Sequence, residues 1–331
     1  MAANSAYVIG IGTVGAGLWM SYNSGEKWRH IQRGPHAEGN TRALAVSPHG
    51  GLWALSDTEG LWRSGDNGGN WDRVGPTMEG ELWSIGFDPL DDLRIYVGTR
   101  PGVARSSDGG ETFQALETSV PEACVIGVPR TTNIVVDPSD SDVIWASVEI
   151  GGLHRSEDAG ESWTFLGDLG ETEFHNDVHG FAVRSTDDGT ELLVTSPYGL
   201  ARSTDRGESW AWHDFGPFAG TKWPHAYSRD VQAPGGTWED TIVACVGDYI
   251  PGQVGALEIS RDGGATWDRE LLPHTPNSTM YWLASHPEVP GTMVATSLFG
   301  QVYVTDDHAE TWRKLDREFG EIRAVSLAPA G

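Results

Sequence analysis

Short apolar runs of five or six residues recur along this chain, separated by turn residues, and no helix-period stripe of useful length interrupts them. Between residues 41 and 64 the runs read TRALAV (41–46), GLWALS (51–56) and GLWRS (60–64). Apolar character over so few positions, bounded by Gly, Asn and Asp, predicts three short strands. A polar eight-residue turn follows, and then a short outer strand. The turn recurs as SYNSGEKW (21–28), SGDNGGNW (64–71), SSDGGETF (106–113), SEDAGESW (156–163), STDRGESW (203–210), SRDGGATW (260–267) and TDDHAETW (305–312). Its closing aromatics stand about 42 to 57 residues apart, the spacing of a four-stranded blade rather than of a helical repeat. The pattern predicts an all-β fold: a seven-bladed β-propeller of four-stranded antiparallel blades.

The phase of the repeat says how the ends meet. Innermost strands are expected to start near Leu82, Asn133, Val178, Ala226 and Tyr281. The chain opens on AYVIGIG (6–12), which matches a second strand, and ends on EIRAVSLAP (321–329), an innermost strand with no blade after it. The C-terminal strand is therefore expected to complete blade one and remove the exposed edges. Because each blade buries its faces on its neighbours, residues 1–331 are expected to form one domain despite their number.

Each part of the turn has a physical task. The Asp (Asp66, Asp108, Asp158, Asp205, Asp262, Asp307) can accept backbone N–H groups and close a tight loop. The Gly two positions later supplies a conformation that a Cβ would penalise. The closing Trp or Phe covers apolar surface between sheets. Two copies depart from the pattern, the first with Asn23 and the last with Ala309. These turns read as scaffold, since their Asp is committed to its own backbone. The motif resembles the Asp-box, or bacterial neuraminidase repeat, and the likeness covers essentially the whole chain. Related repeats occur in sialidases, sortilins, two-domain xyloglucanases and photosystem II assembly factors. The chain looks most similar to single-domain bacterial and archaeal propellers loosely labelled glycosyl hydrolases. That resemblance is specific for fold and weak for function.

Composition narrows the partners. A formal charge of −25, from 47 acidic and 22 basic residues, argues against nucleic-acid backbones and anionic membranes. Only Lys27, Lys222 and Lys314 are lysines, a balance that also fits a halophile or a high-GC genome. The acidic turns DPLDD (88–92) and DPSDSD (137–142) lack calcium-loop spacing and read as solvated connections. Cys124 and Cys245 fall in non-adjacent blades, so a disulfide is not expected. No secretion signal or bilayer-spanning segment is visible, which makes a soluble, cytoplasmic monomer the default expectation.

Candidate chemistry gathers where loops are long. The links entering blades four (117–132), five (167–177) and six (214–225) and the hairpin 247–256 all fall over one sector of one face, whereas the link between blades two and three (75–81) is short. Loops that only close a scaffold need not grow. Glu149, in VEIGG, ends the second strand of blade four at that face. Asp177 and His179, in HNDVHG, open the innermost strand of blade five, with His175 in the loop before it. His225, Tyr227 and Arg229, in PHAYSRD, open that of blade six; Arg100 is placed similarly on blade three. The VEIGG, DVH and YSR segments also resemble matching segments in the loosely labelled propeller group.

Three readings of this cluster stand side by side. In one, Glu149, His179 and Asp177 are catalytic, as an acid/base pair with an orienting carboxylate. Arg229, Tyr227, Arg100, His225, Tyr249 and Trp223 then hold a small-molecule or carbohydrate ligand, and no cofactor is needed. In another, His175, His179 and His225 bind a divalent metal, although residues four apart on an extended strand are a poor chelate. In the third, the charged groups pair among themselves. For function, these give a small-molecule- or glycan-directed hydrolase or lyase, a His-centred metalloenzyme, or a non-catalytic assembly or peptide-binding propeller. Sialidase resemblance would require three arginines, for which Arg42, Arg229 and Arg323 could stand, but the early Arg-Ile-Pro setting is absent. Xyloglucanase resemblance implies a cleft between two propellers, and one propeller is counted here.

Overall fold

The computed structural model describes residues 6–35, 37–56, 59–75, 81–125, 127–186 and 189–330. They form seven four-stranded antiparallel sheets, the blades of a seven-bladed propeller. The strands of the second unit fall at Thr41–Val46, Leu52–Ser56 and Gly60–Ser64, where the apolar runs place them. The C-terminal strand Ile322–Pro329 pairs with Tyr7–Thr13 and completes blade one, as the phase of the repeat requires. The link 75–81 lies mostly outside the described residues. Cys124 and Cys245 are both free thiols. Among the described residues no helix is long and apolar enough to cross a membrane.

By internal contacts the chain divides into two compact units. One contains the residues up to Arg73 together with those from Gln232 onward; the other is Val74–Val231. In the first, Ile9 and Ile11 pack with Val294, Val302, Val304 and Leu327 between blades seven and one. Leu18 and Met20 meet Leu52, Ala54 and Trp71 between blades one and two. In the second, Tyr96 and Val103 meet Ile134 and Ile144 between blades three and four. Trp145 and Leu153 meet Leu192, Val194 and Ala201 between blades four and five. Second strands such as Leu52–Ser56 and Met293–Ser297 are buried on both faces, which is why they read as continuous apolar runs rather than as alternation.

The repeated turn works through hydrogen bonds at fixed offsets. In blade three the Ser106 hydroxyl donates to Asp108 Oδ1 at 2.7 Å and accepts the Gly110 N–H at 2.9 Å. Asp108 accepts the Thr112 N–H at 2.9 Å on Oδ1 and the Thr112 hydroxyl at 2.5 Å on Oδ2. Two successive residues adopt positive φ, for example Arg206 (61°) and Gly207 (92°). A Cβ on Gly207 would sit 2.6 Å from Leu166 of the preceding blade, so this glycine is required by conformation and by packing. The two departures are explained in the same terms. Asn23 Oδ1 accepts the Lys27 N–H at 2.9 Å, as an Asp would, and buried Ala309 takes the glycine position at φ 65°.

Hydrogen bonds from the residue four positions on, with help from the serine or its equivalent, hold the carboxyls of Asp66, Asp108, Asp205 and Asp262 at about 2. A depressed folded-state value contributes stability above the unfolded value near 4, and that contribution is lost as pH falls through about 2. Replacing these four residues by Asn, which already serves at position 23, is expected to leave a folded protein at neutral pH. Its melting temperature should decline less steeply between about pH 4 and pH 2. Circular-dichroism melts across that window give the comparison, and equal slopes would show that these turns do not govern acid stability.

Candidate functional site

Glu149 sits one residue past the second strand of blade four, Asp140–Val148, where its N–H donates to Arg130 O at 2.9 Å. The next residues turn sharply, with Ile150 at φ 51° and the Gly151 N–H donating to Asn176 O at 3.1 Å. Buried His154 supports this turn. One ring nitrogen, Nε2, lies 3.0 Å from Gly151 O and the other, Nδ1, 2.7 Å from Ser119 Oγ. The carbonyl can only accept, so Nε2 donates and Nδ1 takes the serine proton. Burial holds the ring below its ordinary value, consistent with this neutral form.

Asp177 and His179 precede the first strand of blade five rather than open it. The strand is Phe181–Thr186. Gly180 stands before it, and a Cβ there would fall 2.7 Å from Asp230 Cα and 2.9 Å from Arg229 O. The backbone of blade six crowds this segment, and Thr195 satisfies it from the side: its Oγ1 accepts the Gly180 N–H at 2.9 Å and donates to Arg229 O at 3.0 Å. Across the other neighbour, Thr132 Oγ1 donates to Val178 O at 3.0 Å and Asn133 Nδ2 to His179 O at 3.1 Å. His225 likewise precedes the first strand of blade six, Tyr227–Gln232.

These supports bring Asp177, His179, Tyr227 and Arg229 together with Glu149 in the unit Val74–Val231. His179 is 4% exposed and Asp177 8%. His179 Nδ1 donates to Ser228 O at 2.7 Å, which leaves Nε2 facing Asp177 Oδ2 at 3.1 Å and the Tyr227 hydroxyl at 3.4 Å. The second oxygen of Asp177 has no hydrogen-bond partner among the described residues. Glu149 Oε2 lies 2.5 Å from Arg130 Nε, an ion pair not aligned as a hydrogen bond. Arg130 itself rests on the Trp83 ring, its Cζ 4.4 Å from the centroid.

The two carboxyls are pushed in opposite directions. Burial raises Glu149, and the nearby Asp177 charge adds to it. Arg130, His179 and Arg229 oppose the rise without cancelling it. Burial also acts to raise Asp177, but His179, by charge and hydrogen bond, together with Arg229 and Arg130 outweighs it and holds Asp177 below its ordinary value.

Other predicted residues lie apart from this cluster. Arg100 bonds Val128 O at 2.9 Å and pairs with Glu81 at 3.3 Å, so it anchors the loop entering blade four. The three histidines of the metal reading are not gathered. Each has its own partner: His175 Nδ1 with Thr172 Oγ1 at 2.9 Å, His225 Nδ1 with Asp214 Oδ2 at 2.8 Å, and His179 as above. No group of three metal-ligating side chains occurs among the described residues. A carboxylate or hydroxyl beside each ring holds it in a separate contact. His175 instead stacks on Tyr198 at 4.1 Å, and Trp223 and His225 pack on the same tyrosine at 6.0 and 5.0 Å. Tyr249 is 53% exposed and belongs to the other compact unit.

Arg130, Trp83, Asn133 and Thr195 were not singled out by sequence. The only signal for Arg130 is its place at the end of a long loop, directly before the first strand of blade four, Thr131–Asp137. Clefts also occur beside the repeated turns, lined by Thr204, Asp205 and Arg206 in one case and by Trp28, Arg313 and Lys314 in another. Neither includes a predicted site residue.

No family model matches the chain. A probable oligoxyloglucan-reducing end-specific xyloglucanase of Neosartorya fischeri is 26% identical over 235 residues, which is 61% of this chain and 28% of that protein. The chain thus spans less than a third of that relative's length. Among solved structures, the GH74 xyloglucanase from Xanthomonas campestris matches with a TM-score of 0.62 at 20% identity, over 87% of this chain and 46% of that one. YCF48 bound to D1 peptide matches with a TM-score of 0.60 at 16% identity, over 100% and 94%. The structural likeness shows the fold. Counting one propeller sets xyloglucanases aside, yet likeness to one runs over more than half of this chain, so that count does not separate them.

The crowding at Gly180 makes Thr195 a measurable support. Thr195→Val removes the hydroxyl that meets the buried Gly180 N–H and the Arg229 carbonyl and is expected to lower stability by about 1–3 kcal/mol in urea titrations. Thr195→Ser should retain most of it, and equal losses in both variants would assign the effect to packing.

Proposed function

We propose that the chain is a glycan-directed hydrolase acting through Glu149 and Asp177. The feature that carries this reading is a pair of carboxyls in one cluster, half-buried Glu149 and buried Asp177, whose surroundings push Glu149 up and hold Asp177 down. Environments that drive two such groups apart provide one proton donor and one anion at the same pH. Glu149 would protonate the leaving-group oxygen. Asp177, oriented by His179, would act on the anomeric carbon directly or through a water. Arg229 and Tyr227 would hold the ligand. The likeness to a protein named as a xyloglucanase supports a glycan as the ligand class.

A second reading has one specific support, the close Glu149–Arg130 ion pair. In it the same cluster binds a ligand without turnover, in the manner of a peptide- or assembly-directed propeller.

Turnover on a panel of oligosaccharides decides between them. Glu149→Gln and Asp177→Asn are each expected to lower kcat at least about 100-fold with little change in melting temperature. Full activity in either variant would remove that residue from the chemistry, and binding without turnover by the unmodified protein would favour the second reading. The pH profile carries its own sign. Activity needs Asp177 ionised and Glu149 protonated. The acid limb of kcat/KM should therefore lie below the ordinary carboxylate range and the alkaline limb above it, with rate lost as pH rises through the raised Glu149 value. Loss of the alkaline limb in a slow Glu149→Gln variant would identify its owner.

A further inference from the structure

Glu149 uses only one edge of the Arg130 guanidinium. It meets Nε at 2.5 Å, while Cζ lies over the Trp83 ring, 4.4 Å from its centroid. Among the described residues the two terminal nitrogens have no hydrogen-bond partner, and the side chain is 27% exposed. A guanidinium presents five N–H donors in a rigid plane, and its fork matches the two oxygens of a carboxylate or sulfate. Stacking on an indole fixes that plane before any ligand arrives. Arg229 stands close enough to bias both carboxyls of the cluster, so a second guanidinium shares the field. Two arginines and His179 thus offset Glu149 and Asp177 locally, within a chain whose formal charge is −25.

We infer that the free fork of Arg130 binds an anionic substituent of the ligand, so that the glycan taken by this site is an acidic one, carrying uronate carboxylates or sulfate esters. This rests on the glycan reading above and deepens it. The anion approaches beside Glu149, whose charged neighbours are Arg130, Asp177, His179 and Arg229. Burial already pushes Glu149 up, and a second negative charge pushes it further. Binding therefore takes up a proton at Glu149, and affinity falls as pH rises. The same proton is the one the proposed hydrolysis delivers to the leaving oxygen.

The test is isothermal titration calorimetry of the whole protein with three probes: an oligogalacturonate, a sulfated galactan oligomer and a neutral xyloglucan oligosaccharide. The uronate or the sulfate probe is expected to bind at least about tenfold tighter than the neutral one, about 1.4 kcal/mol. The tighter of the two identifies the anion. The preference should shrink with added salt and be accompanied by net proton uptake when buffers of different ionisation enthalpy are compared. Arg130→Gln should abolish the preference, while Arg130→Lys, which keeps the charge without the fork, should keep only part of it. Equal or tighter binding of the neutral oligosaccharide by the unmodified protein would overturn the inference and leave the hydrolase reading intact. Binding of none of the three would overturn both. The comparison of ligands on unmodified protein decides the matter even if the variants fold poorly.

Discussion

Neighbouring blades approach so closely at their inner strands that a Cβ has no room, and the site depends on that approach. A methyl group on Gly86 would lie 2.6 Å from Ile134 O, on Gly98 2.5 Å from Thr131 O, and on Gly180 2.7 Å from Asp230 Cα. At such separations an apolar side chain cannot intervene, and the facing carbonyls must be met by small polar groups. Ser84 meets Thr131 O at 2.8 Å, Thr132 meets Val178 O and Thr195 meets Arg229 O. These bonds set the spacing at which His179 of one blade can reach Ser228 O and Tyr227 of the next. Side chains drawn from separate sheets are thereby held in register with one another.

The repeated turns and the candidate site lie at opposite ends of the blades. The repeated turn joins the third strand to the fourth, while Glu149 stands between the second and third, and antiparallel pairing puts those connections at opposite ends. The turn carboxylates are spent on hydrogen bonds within eight residues of chain. That leaves the other end free to vary its loops without loss of the fold. The loop entering blade four uses this freedom: Arg100 anchors it at Val128, Ser119 meets His154, and its last residue, Arg130, faces Glu149.

Carboxylates are also buried against arginines away from the site. On the second strand of blade five Glu191 is almost fully buried and is met by Arg184 and Arg202, and on the third strand of blade six Glu258 is met by Arg269 at 2.6 Å. Those carboxylates are met by arginines of their own sheets, and burial still pushes Glu258 above its ordinary value, as it does Glu149. In the site the compensation is incomplete. Asp177 keeps one oxygen without a hydrogen bond and Glu149 meets its arginine off-line. Burial prevails at Glu149, whereas His179, Arg229 and Arg130 outweigh it at Asp177, and that difference separates the two carboxyls.

By itself the amino-acid sequence determined the repeat, the number of blades, the placement of most strands and the return of residues 322–329 to the first blade. These follow from local rules: a strand period, a turn whose hydrogen bonds span eight residues, and an unpaired strand at each end of the pattern. It also put Glu149, Asp177, His179, Tyr227 and Arg229 at strand ends beside long loops, because residue type and loop length are both visible in one dimension. Tertiary structure alone decided which of them meet. Strand alternation tells which face a side chain takes, but not which neighbour stands across from it. So Arg100 turned out to hold a loop, the three histidines found separate partners, and Arg130 with Trp83 entered the site unannounced. The direction of each carboxyl's titration was likewise out of reach of the sequence, since it depends on burial and on charges brought close by folding.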